Sequence, residues 1–258
     1  MKKFDKNDGL NDKNRSIIGS LLSEISWEGS KTTRYRNGGA GLENVLTTEV
    51  LQILYFLPRT HFLGEIVKNL HTENNNALET LYSEIESSDF ILFPGNHYLI
   101  DEPLSHQSGL AVQPDSLIIS NSVYALIEIK RIKTSSFQKE QLAREFYLVT
   151  REAKSKTPLL VLIVNKKPPV RVSGHGRVEP KDFIKQTLPG VYGKADSSTL
   201  SLTEMIDLVD KHIAWITWEE IYEIIKKQKD LYSTKDKSLE SSIFRLCNAL
   251  MDAIERHS

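Results

Sequence analysis

Residues 113–130 read QPDSLIISNSVYALIEIK, and this stretch decides the fold that the sequence predicts. Two runs rich in Ile, Leu, Val and Tyr, at residues 116–120 and 123–129, flank the dipeptide Asn121-Ser122. Asparagine tolerates the left-handed conformation that a tight two-residue turn requires. The pattern therefore predicts a β-hairpin with its turn at this dipeptide.

The predicted hairpin brings two carboxylates and one ammonium group together. Its register places Asp115 directly opposite Glu128, and because side chains alternate along a strand, Lys130 lies on the same face. Two carboxylates about 5 Å apart repel by roughly 3 kcal/mol at an effective dielectric constant of about 20, so the pair needs a counter-charge. Carboxylate oxygens suit a hard cation such as Mg²⁺ or Mn²⁺. The alternative is an edge hairpin whose Glu128 and Lys130 simply face solvent.

The spacing of these residues resembles the signature of a nuclease superfamily. Pro114-Asp115, twelve intervening residues and then Glu128-Ile129-Lys130 are similar to the motif of the PD-(D/E)xK, or restriction-endonuclease-like, superfamily. The resemblance implies that Asp115, Glu128 and the backbone carbonyl of Ile129 hold Mg²⁺, for which Mn²⁺ can substitute. It also implies that Lys130 assists the attacking water or stabilises charge on a phosphate.

A further acid is predicted on the helix that precedes the sheet. Residues 41–57 read GLENVLTTEVLQILYFL and end at Pro58, and Glu43 falls inside the apolar stripe of this predicted helix. Nucleases of this superfamily often supply an acid from that helix, so Glu43 is the first candidate and Glu49 the second. The alternative is that Glu43 simply complements the helix dipole in the first turn.

The helix predicted after the hairpin, at residues 137–154, supplies another candidate. On its wheel Gln138, Gln141 and Glu145 fall among apolar residues and would point toward the sheet, where buried polar groups require partners. Some relatives in the superfamily place a Gln or Glu from this helix in the site, and on that resemblance Gln141 is the candidate site residue. Hydrogen bonding to the sheet is the role expected of the other two.

The order of the predicted elements indicates one α/β domain. We expect a restriction-endonuclease-like fold, with a mixed central β-sheet flanked by helices and with helical N- and C-terminal additions. The predicted domain covers residues 15–258, has its core at about 41–225, and follows a disordered tail at 1–14. The stretches 166–177 and 179–200 are expected to be irregular. The other predicted helices are at 15–27, which is the N-terminal addition, and at 60–71, 77–87, 202–211, 218–227 and 238–256, and the other predicted strands are at 89–94, 158–165 and 213–217.

The composition is ordinary for a globular protein, with 40% hydrophobic and 26% charged residues among 258. Cys247 is the only cysteine, so the chain carries neither a disulfide framework nor a cysteine-based metal site. No apolar run approaches the roughly 18 residues that cross a bilayer, and the amino terminus, MKKFDKND, lacks the apolar segment of a signal peptide. We expect a cytoplasmic protein that does not enter a membrane.

Basic residues concentrate directly after the motif. The whole chain has a net charge of −1, but residues 130–179 contain twelve Lys or Arg against four Asp or Glu. Such a segment can follow the phosphates of a nucleic acid, and Lys166, Arg171 and Arg177 are the candidate contacts. About half of these charges are expected to be solvated helix surface.

Together with these observations, the resemblance to the superfamily implies a magnesium-dependent endonuclease that hydrolyses phosphodiester bonds in DNA. A role in restriction or phage defence is typical of stand-alone relatives and is an analogy. Two alternatives stay open: a non-catalytic nucleic-acid-binding or scaffold protein with the nuclease fold, and a nuclease subunit that works with a partner protein. A homodimer, which would explain cuts in both strands, also stays open.

Overall fold

A computed structural model describes residues 41–99, 111–132, 136–195 and 200–258. The predicted tail at 1–14 and the helical N-terminal addition lie outside these residues. The helices are α1 (Gly41–Phe56), α2 (Leu63–Lys68), α3 (Asn75–Glu84), which runs into a 3₁₀ turn (Ile85–Ser87), α4 (Gln141–Ala153), α5 (Pro180–Tyr192), α6 (Leu202–Val209), α7 (Trp218–Leu231) and α8 (Lys237–His257).

The strands form one central sheet and two small ribbons. They are β1 (Asp89–Leu92), β2 (His97–Tyr98), β3 (Ala111–Val112), β4 (Ser116–Ile119), β5 (Val123–Ile129), β6 (Thr157–Val164), β7 (Val170–Val172), β8 (Gly176–Val178) and β9 (Ile213–Thr217). The central sheet has the order β1-β4-β5-β6-β9, while β2 pairs with β3 and β7 with β8. The chain is therefore a mixed α/β protein with a five-stranded mixed sheet flanked by helices.

The predicted hairpin and its register are confirmed. β4 pairs antiparallel with β5 so that Leu117 faces Leu126, and the N–H of Ser120 donates to the carbonyl of Val123 at 2.9 Å across the turn. All seven residues of β5 are buried, as expected for a strand covered on both faces.

The two halves of the sheet differ in strand direction. β1 and β4 are antiparallel to their neighbours, whereas β5, β6 and β9 are parallel to one another. The carboxyl ends of parallel strands meet at one edge, which is where open α/β sheets bind ligands. Ile129 pairs with Ile163 and Val164 with Thr217 at this edge, and β4 begins there. The first residue of β4 and the last residue of β5, which are the two ends of the predicted hairpin, therefore both lie at this edge.

Helices cover both faces of the sheet. One face packs against α1, α2, α3, α7 and α8, through a cluster that includes Ile118, Ala125, Ile127, Val161, Ile163 and Ile216. The other face packs against α4, α5 and α6, through Leu117, Leu126, Leu160 and Leu162. Side chains alternate along a strand, and Glu128 therefore belongs to the face that α4 covers.

The segment 179–200, which was expected to be irregular, contains helix α5. Pro180 occupies the first turn, where the missing N–H of proline has no helical acceptor to lose. Phe183, Ile184 and Leu188 form the buried stripe of the helix. The sequence did not indicate this helix because Pro189 lies inside it, and a proline normally marks the end of a helix.

Two other predictions of secondary structure were also wrong. Residues 166–177 were expected to be a loop, yet they contain the β7–β8 hairpin. The helix expected at 137–154 begins only at Gln141, because Phe137 forms a parallel bridge with Val172. As a consequence Gln138 is exposed and does not face the sheet.

Among the residues that the structure describes, none of the helices combines the length and the apolar character that crossing a membrane requires.

Candidate active site

Asp115 is fixed at the start of β4 by both neighbouring strands. Its backbone carbonyl accepts a hydrogen bond from the N–H of Phe93 at 2.9 Å. Its side-chain oxygen Oδ2 accepts from the N–H of Ile129 at 2.7 Å. This second bond places the carboxylate beside the end of β5, as the predicted register requires.

Glu128 is the centre of a buried cluster of polar side chains. Glu128 is 3% exposed. Its Oε1 atom accepts hydrogen bonds from Lys130 Nζ at 2.7 Å and from Gln141 Nε2 at 2.5 Å. Hydrogen bonds to a charged group are shorter and stronger than neutral ones. The structure therefore brings together three of the predicted site residues, Glu128, Lys130 and Gln141, with Asp115 directly beside them.

Lys130 is held at both its backbone and its ammonium group. The indole Nε1 of buried Trp218 donates to the carbonyl of Lys130 at 2.7 Å, and the N–H of Lys130 donates to Ile163 at 2.8 Å. The ammonium nitrogen lies 5.1 Å from the centre of the Phe137 ring, within the range of a cation–π contact. These contacts leave the Lys130 side chain 11% exposed and aimed at Glu128.

Glu145 joins this cluster, although sequence reasoning gave it only a structural role. It lies four residues after Gln141 on α4 and is 1% exposed. Burial, and next the negative charge of Glu128, raise the pKa of the Glu145 carboxyl well above its ordinary value, while Lys130 acts in the opposite direction. Its Oε2 atom is buried and makes no hydrogen bond within the described part of the chain. The signal was available, since side chains four residues apart share one face of a helix.

The carbonyl of Ile129 is not used by the β4–β5 ladder. In an antiparallel pair the N–H and C=O of one residue point to the same side, and the N–H of Ile129 points toward β4. The pairs of this ladder end at Ser116 with Ile127, and their continuation would bring Pro114 opposite Ile129. Proline has no N–H, so Pro114 cannot donate to the carbonyl of Ile129, which is the predicted metal ligand.

This donor set fits Mg²⁺. The ion prefers oxygen ligands, keeps several waters and uses one or two carboxylates, which Asp115 and Glu128 supply together with the Ile129 carbonyl. Among the described residues, no three His, Cys, Asp or Glu side chains are arranged as a metal-binding group.

The structure does not bring Glu49 to the cluster. Its carboxylate lies 3.3 Å from Arg256 and 3.2 Å from His257, so it connects α1 to α8. Glu43 lies in the first turn of α1, but its side chain is outside the described part, and its role stays a prediction.

Comparisons with protein-family models, curated proteins and solved structures each found no match. A mixed α/β sheet hosts many unrelated functions, and a functional conclusion must come from the site. In this chain the buried polar residues at the carboxyl end of β5 form that site.

Proposed function

We propose that the protein is a metal-dependent endonuclease of the restriction-endonuclease-like type, which hydrolyses phosphodiester bonds in DNA. The observation that carries the proposal is the attachment of Asp115 to Ile129, between the buried Glu128 and Lys130. A buried ion pair seldom adds stability over apolar packing, because both charges lose their hydration. Its presence at a sheet edge, next to a second carboxylate, is typical of a chemical site.

The order of the elements also supports the proposal. A helix (α1), an antiparallel strand (β1), the β4–β5 hairpin, a crossover helix (α4) and a parallel strand (β6) follow one another. This is the order that the resemblance to the superfamily implies. Strand β9 extends the sheet on its parallel side, and α7 follows β9 directly.

Five residues of the site have a role in hydrolysis under this proposal. Asp115, Glu128 and the Ile129 carbonyl would hold Mg²⁺, which when bound lowers the pKa of a coordinated water and neutralises charge on the phosphate. Lys130 orients the attacking water and stabilises negative charge on the phosphate. Gln141 holds the carboxylate of Glu128 in place through its 2.5 Å hydrogen bond.

The test is incubation of the purified chain with supercoiled, linear and single-stranded DNA and with RNA, in Mg²⁺, Mn²⁺ or EDTA. The proposal expects cleavage of DNA in either metal and none in EDTA. A chain that binds DNA but leaves every substrate intact in both metals would instead be the non-catalytic binding protein. Cleavage only after a partner protein copurifies would identify a subunit of a larger nuclease.

A further inference from the structure

The β7–β8 hairpin holds two arginines face to face. Arg171 lies directly opposite Arg177 in its register, flanked by the pair Val170 and Val178. Directly opposite residues of an antiparallel pair share one face with Cβ atoms about 5 Å apart, and like charges there are destabilising. Val170 and Val172 are buried, whereas both arginines are exposed. The hairpin thus presents a repulsive pair of cations that an anion between them would relieve.

The charge of this segment, residues 166–178, is entirely positive. We call it the basic hairpin, because it contains four Lys or Arg and no Asp or Glu. Lys166 and Lys167 are exposed on the chain that enters β7. The guanidinium of Arg177 donates to the carbonyl of Lys167 at 3.2 Å, and this bond keeps the two basic stretches next to each other.

Phe137 connects the basic hairpin to the candidate active site. The N–H of Phe137 donates to the carbonyl of Arg171 and its carbonyl accepts from the N–H of Ser173, both at 2.9 Å. The buried ring of the same Phe137 lies 5.1 Å from Lys130 Nζ. The position of Arg171 relative to Lys130 is therefore fixed by backbone hydrogen bonds and by a packed ring.

We infer that the basic hairpin binds the phosphate backbone of DNA next to the bond that is cleaved, with Arg171 and Arg177 contacting phosphate oxygens. The inference deepens the proposed function and rests on it. A guanidinium group matches the geometry of a phosphate in two hydrogen bonds, and phosphate contacts fix a protein on DNA without reading the bases. The exposed arginine pair, which Phe137 connects to Lys130, suits this task.

The test is DNA binding measured without cleavage. Fluorescence anisotropy of a labelled duplex in EDTA, at several salt concentrations, gives the affinity and its salt dependence for wild type and R171Q/R177Q. Each lost phosphate contact lowers the slope of log K against log salt by about 0.9, so the double variant is expected to lose roughly 1.8. Its affinity at low salt is expected to fall on the order of 10-fold.

Two matched variants separate the charges from the fold. R171K/R177K keeps both positive charges and is expected to keep the wild-type slope. K226Q/K227Q removes two exposed lysines from α7, on the other side of the sheet, and is expected to keep both slope and affinity. If R171K/R177K lowers the slope of log K against log salt as much as R171Q/R177Q does, the inference is overturned.

The outcomes also distinguish failure of this inference from failure of the nuclease proposal. If wild type cleaves DNA but R171Q/R177Q binds with unchanged affinity and slope, the inference is overturned and the nuclease proposal stands. If binding depends on the hairpin but wild type never cleaves, the phosphate contacts of Arg171 and Arg177 are supported, whereas the nuclease proposal and the position of these contacts next to a cleaved bond are overturned. Wild type that binds no DNA at all contradicts both.

Discussion

The backbone N–H of Ile129 donates a 2.7 Å hydrogen bond to Oδ2 of Asp115. Ile129 lies between Glu128 and Lys130, so this single bond fixes the acid of one strand relative to both charged residues of the next. Twelve residues separate Pro114-Asp115 from Glu128 in the sequence, and the antiparallel pairing of β4 and β5 brings these two ends next to each other.

Removing Lys130 will destabilise the fold as well as the site. Glu128 and Lys130 have side chains only 4% and 11% exposed, and Lys130→Met leaves the carboxylate buried without its counter-charge. Breaking a buried pair in this way costs about 3 kcal/mol of unfolding free energy. Urea denaturation in EDTA, which excludes any contribution from a metal, measures it.

The control is an ion pair on the surface. Lys185 and Asp210 are also 2.7 Å apart, but their side chains are 33% and 45% exposed, so Lys185→Met is expected to cost less than about 1 kcal/mol. The double variant Glu128→Gln with Lys130→Met removes both buried charges and should recover about 1 to 3 kcal/mol relative to the sum of the two single changes. Strict additivity would show that the two side chains do not interact.

Replacing Glu145 by glutamine will be tolerated, whereas alanine will not. Burial and the charge of Glu128 raise the pKa of the Glu145 carboxyl, which favours its neutral form, and an amide has nearly the same shape as a neutral carboxyl. Urea denaturation at pH 7 in EDTA should find Glu145→Gln at least as stable as wild type. Glu145→Ala leaves a cavity and should lose about 2 kcal/mol. Equal losses in the two variants would mean that the buried group is ionised.

Stability will depend on pH through Glu84, which holds the turn of the β4–β5 hairpin. Its carboxylate accepts from the hydroxyl groups of Ser120 and Ser122, at 2.5 and 2.7 Å, and these bonds lower the pKa of Glu84 below its ordinary value of 4.5. A lowered folded-state pKa stabilises the fold above the unfolded-state pKa, and this stabilisation is lost as pH falls through the folded-state value.

The comparison with Glu84→Gln isolates this contribution. Wild type should exceed the variant by on the order of 1 kcal/mol at pH 6 to 7, and the difference should shrink as pH falls below about 4.5. Glu79→Gln, which changes an exposed residue of the same helix, is the control and should show no such dependence. A difference between wild type and Glu84→Gln that stays constant from pH 3 to 7 would contradict the role of the carboxylate.

The parts of this structure that sequence predicted are those that local patterns determine. The Asn-Ser turn between two apolar runs predicted the register of β4 and β5, and with it the position of Asp115. The apolar run of β6 and the strand-to-helix change between β9 and α7 were equally visible. Gln141 was placed by its face on a helix, and the structure does bring it to Glu128.

The parts that sequence did not predict depend on contacts between distant residues. Trp218 donates to the carbonyl of Lys130 across 88 positions of the chain, and no local pattern signals that bond. Phe137 leaves the expected helix because it pairs with Val172, a partner that only the folded chain provides. Glu145 was visible on the correct face of α4, but its place beside Glu128 depends on how that helix packs on the sheet.

The most direct measurement is the initial rate of cleavage of supercoiled DNA in Mg²⁺ by wild type, Asp115→Asn and Asp252→Asn. Asparagine keeps an oxygen that can accept from Ile129 but removes the charge, so the Asp115→Asn rate is expected to fall by roughly 100-fold or more. Asp252 is exposed on α8, and its variant should retain the wild-type rate. Cleavage by Asp115→Asn at the wild-type rate, or cleavage that persists in EDTA, would contradict a metal-dependent site built on Asp115 and Glu128.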